Sequence, residues 1–150
     1  MLGFRGRADQ VATEYGNGMT NRRTILFNKH YGYASSQPPI AGAPWQLGVT
    51  YRDPSGVGRS ALVRARLYRV AAGGTVPTLM AEMNSNSFAN MGLTTQRSPS
   101  FIHTFDFAAN SYWVHVDLDR SSTSEFVILH NMHLVGDTCG TCWFFSSPGC

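Results

Sequence analysis

Apolar and polar side chains alternate along most of this chain. Tyr112, Val114, Val116 and Leu118 recur at every second position, and so do Trp45, Leu47, Val49 and Tyr51. A repeat of two is the signature of a strand with one face buried and one face wet. The same reading gives strands at Thr24–His30, with Ile25 and Phe27 on one face, at Trp45–Arg52, at Ala61–Val70 and at Val76–Met83. It gives three more at Phe101–Phe107, Ser111–Asp119 and Phe126–Val135. Pro77 sits near the start of its strand, where a missing N–H does least harm.

Turn chemistry separates these runs. Asp53-Pro54-Ser55-Gly56 suits a type I turn with proline at its second position. Ala71–Thr75 reads as a hairpin loop, and residues 108–110 and 120–125 as further tight connections that make the flanking strands antiparallel. Tyr31–Pro44 is a loop rich in glycine and proline, and Asn84–Ser100 is a long polar loop. Ala8–Tyr15 carries the one weak helical pattern. The fold class is therefore all-β, an antiparallel two-sheet sandwich of jelly-roll or immunoglobulin-like type with about seven to eight strands. Residues 1–23 read as an N-terminal arm, 24–135 as the sandwich domain and 136–150 as a cysteine- and aromatic-bearing tail.

Composition narrows the function classes. A chain of 150 residues makes one domain, and 43% hydrophobic against 14% charged residues fits a packed core. A net charge of +3 is too small to point to nucleic acid. No run approaches the roughly 18 apolar residues of a membrane span, and no apolar stretch follows the basic N-terminus as a secretory leader requires. An extracellular or virion-associated location fits best if the chain is a module of a larger system. The motifs of the serine hydrolases, zinc proteases, P-loop proteins and dinucleotide-binding enzymes are absent from the sequence.

Four groups of residues carry candidate chemistry, and each has a plainer structural reading. If Tyr112 to Leu118 face the core, then Trp113, His115, Asp117 and Asp119 face out, and the following strand can set Asn131 and His133 on the same face. His103 joins them or turns inward according to whether the loop at 108–110 has three residues or two, because a one-residue slip reverses every side chain. With His103, His115 and Asp117 together, a metal or acid–base site becomes conceivable. The plainer reading is a solvated sheet face with ordinary cross-strand pairs. Asp117 and Asp119, about 7 Å apart on a strand, have the spacing of a glycosidase pair, without other support.

Arg64 and Arg66 project from one strand face beside Tyr68 and suit a phosphate, sulfate or carboxylate; otherwise they are charges that discourage edge pairing. Among the aromatic residues Tyr31, Tyr33, Trp45, Trp113 and Trp143, only Trp113 is pointed outward by its strand pattern, which makes it a candidate platform for a sugar ring. Trp143, Phe144 and Phe145 follow the last strand, and adjacent apolar rings on an extended segment need two surfaces, one of them a groove or a neighbouring subunit. Cys139, Cys142 and Cys150 are odd in number, so they cannot all pair within one chain. Their spacing matches no standard zinc pattern, so a disulfide, within or between chains, or free thiols come ahead of a zinc site completed by His130 or His133.

The sequence thus leads to a non-catalytic structural or adhesive sandwich, with no cofactor and no bound metal. It self-associates or docks into a shell, tail, fibre or surface layer through its extensions. The alternative is a carbohydrate-binding module built on Trp113, with a glycan as partner. The third reading is a metal-dependent enzyme on the His/Asp face.

Overall fold

The computed structural model describes residues 2–4, 20–26, 44–121 and 125–136, the first two segments by their backbone course. Cys139, Cys142, Cys150, Trp143, Phe144 and Phe145 lie outside the described residues, as do the helical pattern at 8–15, residues 27–30 of the first expected strand, and Tyr31 and Tyr33. The strands are β1 (Leu2–Phe4), β2 (Thr20–Leu26), β3 (Trp45–Arg52), β4 (Ala61–Ala71), β5 (Thr78–Asn84), β6 (Leu93–Arg97), β7 (Asn110–Arg120) and β8 (Ile128–Gly136). The only helical turn among the described residues is the 3-10 turn Ser85–Ser87. The protein is all-β, with two antiparallel sheets.

Three strands make the body of each sheet: β8, β3 and β6 in one, β7, β4 and β5 in the other. β1 and β2 extend the outer edges beside β8 and β7, so the strands continue into the segment expected to be an arm. The inward stripes meet between the sheets. Leu47, Val49 and Tyr51 of β3 and Leu129, Met132 and Leu134 of β8 face Val63, Ala65 and Leu67 of β4 and Val114, Val116 and Leu118 of β7. All of these are buried, which is the burial the alternation anticipates.

Three sequence-based expectations need correction. Phe101–Phe107 is not a strand. Its even spacing buries Phe105 and Phe107, but the segment forms only isolated bridges, at Phe101 with Trp45 and at Phe105, and otherwise runs as a loop closing one end of the core. The polar segment 84–100 contains β6, whose Leu-Thr-Thr-Gln-Arg sequence lies on an open edge and so carries no apolar alternation. The short connections expected at 53–60 and 120–125 do not join neighbouring strands, because β3 and β4, and likewise β7 and β8, lie in different sheets; β4–β5 is the consecutive pair that shares a ladder.

The 53–60 crossing is held by a buried polar knot. The Asp53 carboxylate is fully buried and accepts from the Ser55 amide and hydroxyl at 2.9 Å each, and from the Ser85 hydroxyl. Ser85 in turn accepts from the Val63 amide at 2.9 Å. A turn forms where the sequence predicts one, with the Gly56 amide donating to the Asp53 carbonyl and Gly56 at φ +56°. Beside the knot the buried Tyr51 phenol is pushed up to about 12, first by burial and then by the Asp53 charge.

Gly48 is a second position that the packing dictates. It pairs with His133, whose ring lies across it: a Cβ there would sit 2.4 Å from Nε2. Gly48→Ala is expected to destabilise the fold by about 1–2 kcal/mol through forced displacement of the ring. Adding His133→Ala should return most of the loss. Denaturant titration of the two single variants and the double variant checks this, and simple additivity would refute the contact as the cause.

Candidate functional site

The outer face of the β2-β7-β4-β5 sheet gathers two groups that the sequence kept apart. β7 lies between β2 and β4, and its register sets Asp117 opposite Arg64, His115 opposite Arg66 and Trp113 opposite Tyr68. On the other side of β7, Arg22, Thr24 and Leu26 occupy the matching register positions on β2. On β5, Asn84 stands opposite Arg64 and Glu82 opposite Arg66. The Trp113, His115 and Asp117 part of the expected ligand face and the expected anion site are one surface.

Its centre is a single carboxylate. Arg64 donates from Nε and Nη2 to Asp117 Oδ2 at 3.1 and 2.9 Å, and Arg66 donates from Nη2 to the same oxygen. His115 Nε2 lies 3.1 Å from Oδ1. These groups roof the acid: the Asp117 side chain is 1% exposed, while Arg64, Arg66 and His115 are 31%, 23% and 26% exposed. Asp117 was expected on a solvated face; its strand parity is outward, but Arg64 and Arg66 of β4 and His115 of β7 close over it. Burial alone would raise its pKa. The Arg64 hydrogen bonds, the Arg66 and Arg64 charges and His115 outweigh that and hold it below the ordinary carboxylate range. Next to this cluster the Trp113 indole stacks on the Tyr68 phenol, with ring centroids 5.6 Å apart and planes 22° from parallel.

The remaining residues from the sequence reading lie elsewhere. Asn131 and His133 are on β8, in the opposite sheet, because the chain changes sheets between β7 and β8. They do not share a face with Trp113. The half-buried His133 ring has its pKa lowered by burial and by Arg97. His103 takes neither register foreseen for it. It faces inward, with Nε2 2.9 Å from the Tyr112 hydroxyl and its ring edge-on to Phe105. Burial and Arg69 lower its pKa. The triad of His103, His115 and Asp117 therefore does not assemble, and among the described residues no group of three His, Cys, Asp or Glu side chains is placed to hold a metal ion.

Sequence reasoning did not identify Ser85 and Asp53 as a buried pair, nor Glu82 as a neighbour of the arginines. Both depend on which strand lies beside β4, and no local pattern carries that information. Among the described residues no helix is long and apolar enough to cross a membrane. Comparison with protein-family models, with curated proteins and with solved structures finds no match to this chain.

Proposed function

We propose that this chain is a non-catalytic jelly-roll subunit that associates with copies of itself to build a larger assembly. The observation that carries the reading is the strand order. One sheet runs β1-β8-β3-β6 and the other β2-β7-β4-β5, so that the chain winds through both sheets as two interlocked Greek keys. This order is the one an eight-stranded jelly roll would have, and it favours that reading over the immunoglobulin-like sandwich. A fold alone assigns no role, so the case for association rests on the surface.

At the end of the sandwich where Arg52, Leu93 and Ile128 lie side by side, the crossing loops expose large apolar residues. Val57 is 61%, Met91 60%, Leu93 59% and Phe126 65% exposed. The 53–60 and 85–92 loops touch there, since a Cβ on Gly56 would lie 3.2 Å from Met91 Cγ. These four are a majority of the exposed large apolar residues among the described ones, Val76, Leu79 and Ile102 lying elsewhere, and such a patch suits contact with another protein surface. A second copy is the economical partner, because a subunit with open sheet edges and apolar loop tips can meet others by a repeated, symmetric contact.

Sedimentation velocity on the purified chain tests the proposal. The expected mass is a multiple of the 16.5 kDa chain, and the assembled fraction should fall when Met91→Glu and Phe126→Asp are combined. A strictly monomeric wild-type protein would overturn the proposal, and so would an assembly indifferent both to that pair of changes and to removal of residues 137–150.

A further inference from the structure

We propose that the outer face of the β2-β7-β4-β5 sheet binds an acidic glycan, with Arg64 and Arg66 receiving a carboxylate or sulfate group and the Trp113–Tyr68 pair carrying a sugar ring. The inference is independent of assembly and would stand for a monomer.

Four observations lead to it. The first is preorganisation. An outer sheet face folds readily with threonine or valine, whereas here a carboxylate is buried under two guanidinium groups at a cost in desolvation. What the arrangement achieves is position. Asp117 Oδ2 holds two arginines that are two residues apart on one strand, so their heads are fixed side by side. Each guanidinium carries five N–H donors in a rigid fork. Arg64 directs Nε and Nη2 to the acid and Arg66 directs Nη2, which leaves Nη1 of each head uncommitted to Asp117, on side chains that are 31% and 23% exposed. A fixed pair of forks suits a planar or tetrahedral oxyanion, with little side-chain ordering left for the binding step.

Charge is the second observation. On β4 and β7 two arginines meet one aspartate, and Arg22 of β2 takes the register position opposite that aspartate. The surrounding acids limit the positive field: Glu82 faces Arg66 from β5, and Asp119 lies one step beyond Asp117 on β7. The surface therefore suits a ligand with one acidic group and disfavours a polyanion. Nucleic acid, with a charge at every phosphate, needs a broader basic surface than this.

The third is the aromatic pair. Trp113 and Tyr68 form a cross-strand pair one step along the ladder from the His115–Arg66 pair, about 7 Å away by strand geometry. This spacing lets the ring of a saccharide and its acidic substituent, or the substituent of the next unit, meet the two parts together. The fourth is accessibility: Trp113, His115, Arg64 and Arg66 are all partly exposed on the face away from the core.

The test is a glycan array probed with the intact protein, with neutral, single-carboxylate, single-sulfate and polyanionic members and a single-stranded oligonucleotide as a separate arm. Binding is expected to the singly acidic members and to vanish when the acid is esterified or removed. The carboxylate and sulfate arms tell which group is preferred. Trp113→Ala should weaken binding at least tenfold. Arg64→Lys, which keeps a positive charge beside Asp117 but loses the fork, should weaken it several-fold, with an unchanged far-ultraviolet circular dichroism spectrum showing that the fold persists. A blank array, equal binding of neutral analogues, undiminished binding by a folded Trp113→Ala variant, or tighter binding of the oligonucleotide than of any glycan would each overturn the proposal.

Discussion

Phe105→Ala should lower the unfolding free energy by about 4 kcal/mol, within the usual range for removing a fully buried phenyl ring. The magnitude follows from where the ring sits. Phe105 is fully buried, and its centroid lies 5.2 Å from Trp45, 5.0 Å from His103, 5.0 Å from Tyr112 and 6.2 Å from Phe107. Edge-to-face geometry with Trp45 and His103 adds to the burial itself. Little can collapse into the vacated space. The Trp45 indole is fixed by Nε1 donating to the His103 carbonyl at 3.0 Å, and the Tyr112 hydroxyl is held by the Asp106 amide at 3.1 Å. Phe105→Leu should cost clearly less, since it keeps most of the volume and loses the ring edges. Urea titrations that show a lower midpoint with unchanged slope would establish the effect. A variant within 1 kcal/mol of wild type would mean that the 101–107 segment does not close the core.

The second large effect concerns the arginine cluster. Asp117→Ala is expected to cost about 2–3 kcal/mol, less than the loss of one partner from a fully buried ion pair, because Arg64 and Arg66 are partly exposed and can turn to water. Asp117→Asn separates shape from charge: it fills the same space, yet its amide offers one acceptor to three donor groups, and it should lose most of the same stability. The pH dependence has a definite sign. The folded-state pKa of Asp117 lies below its ordinary 3.8. Its contribution is therefore complete above about pH 4 and fades as the pH falls through the lower folded-state value. Wild type should show that acid limb, and Asp117→Asn should lack this part of it. Parallel acid limbs in the two proteins would show that the carboxylate is not held by its neighbours.

The legible part of the fold is the part written in local alternation. Tyr112 to Leu118 and Trp45 to Tyr51 bury the residues their spacing promises, because a strand with one wet face leaves its period in the sequence. β6 left none: at the edge of a sheet, Thr94, Thr95 and Gln96 obtain backbone partners without an apolar stripe. Phe101–Phe107 shows the converse, a period-two pattern that buries its rings in a loop. The site was half legible. Trp113, His115, Arg64 and Arg66 were each identified as outward-facing, since parity alone decides that. Their meeting was not, because β4 and β7 are brought together by the winding of the chain and are separated by two other strands along it. The same winding sends β8 to the other sheet and takes Asn131 and His133 with it.

That separation has a material consequence. One broad side of the molecule presents a lattice of guanidinium, imidazole and carboxylate groups. The other presents Gln46, Thr50, Thr95 and Asn131 together with Arg52, Arg97 and His133, joined at one point by the hydroxyls of Thr50 and Thr95 and at another by Arg97 Nη1 donating to Gln46 Oε1. Among the described residues acids accompany the arginines on the first side alone, so a layer tiled from copies in one orientation would be electrically asymmetric across its thickness. Its two surfaces would then respond differently to salt, and a sheet free to bend would acquire a preferred direction of curvature.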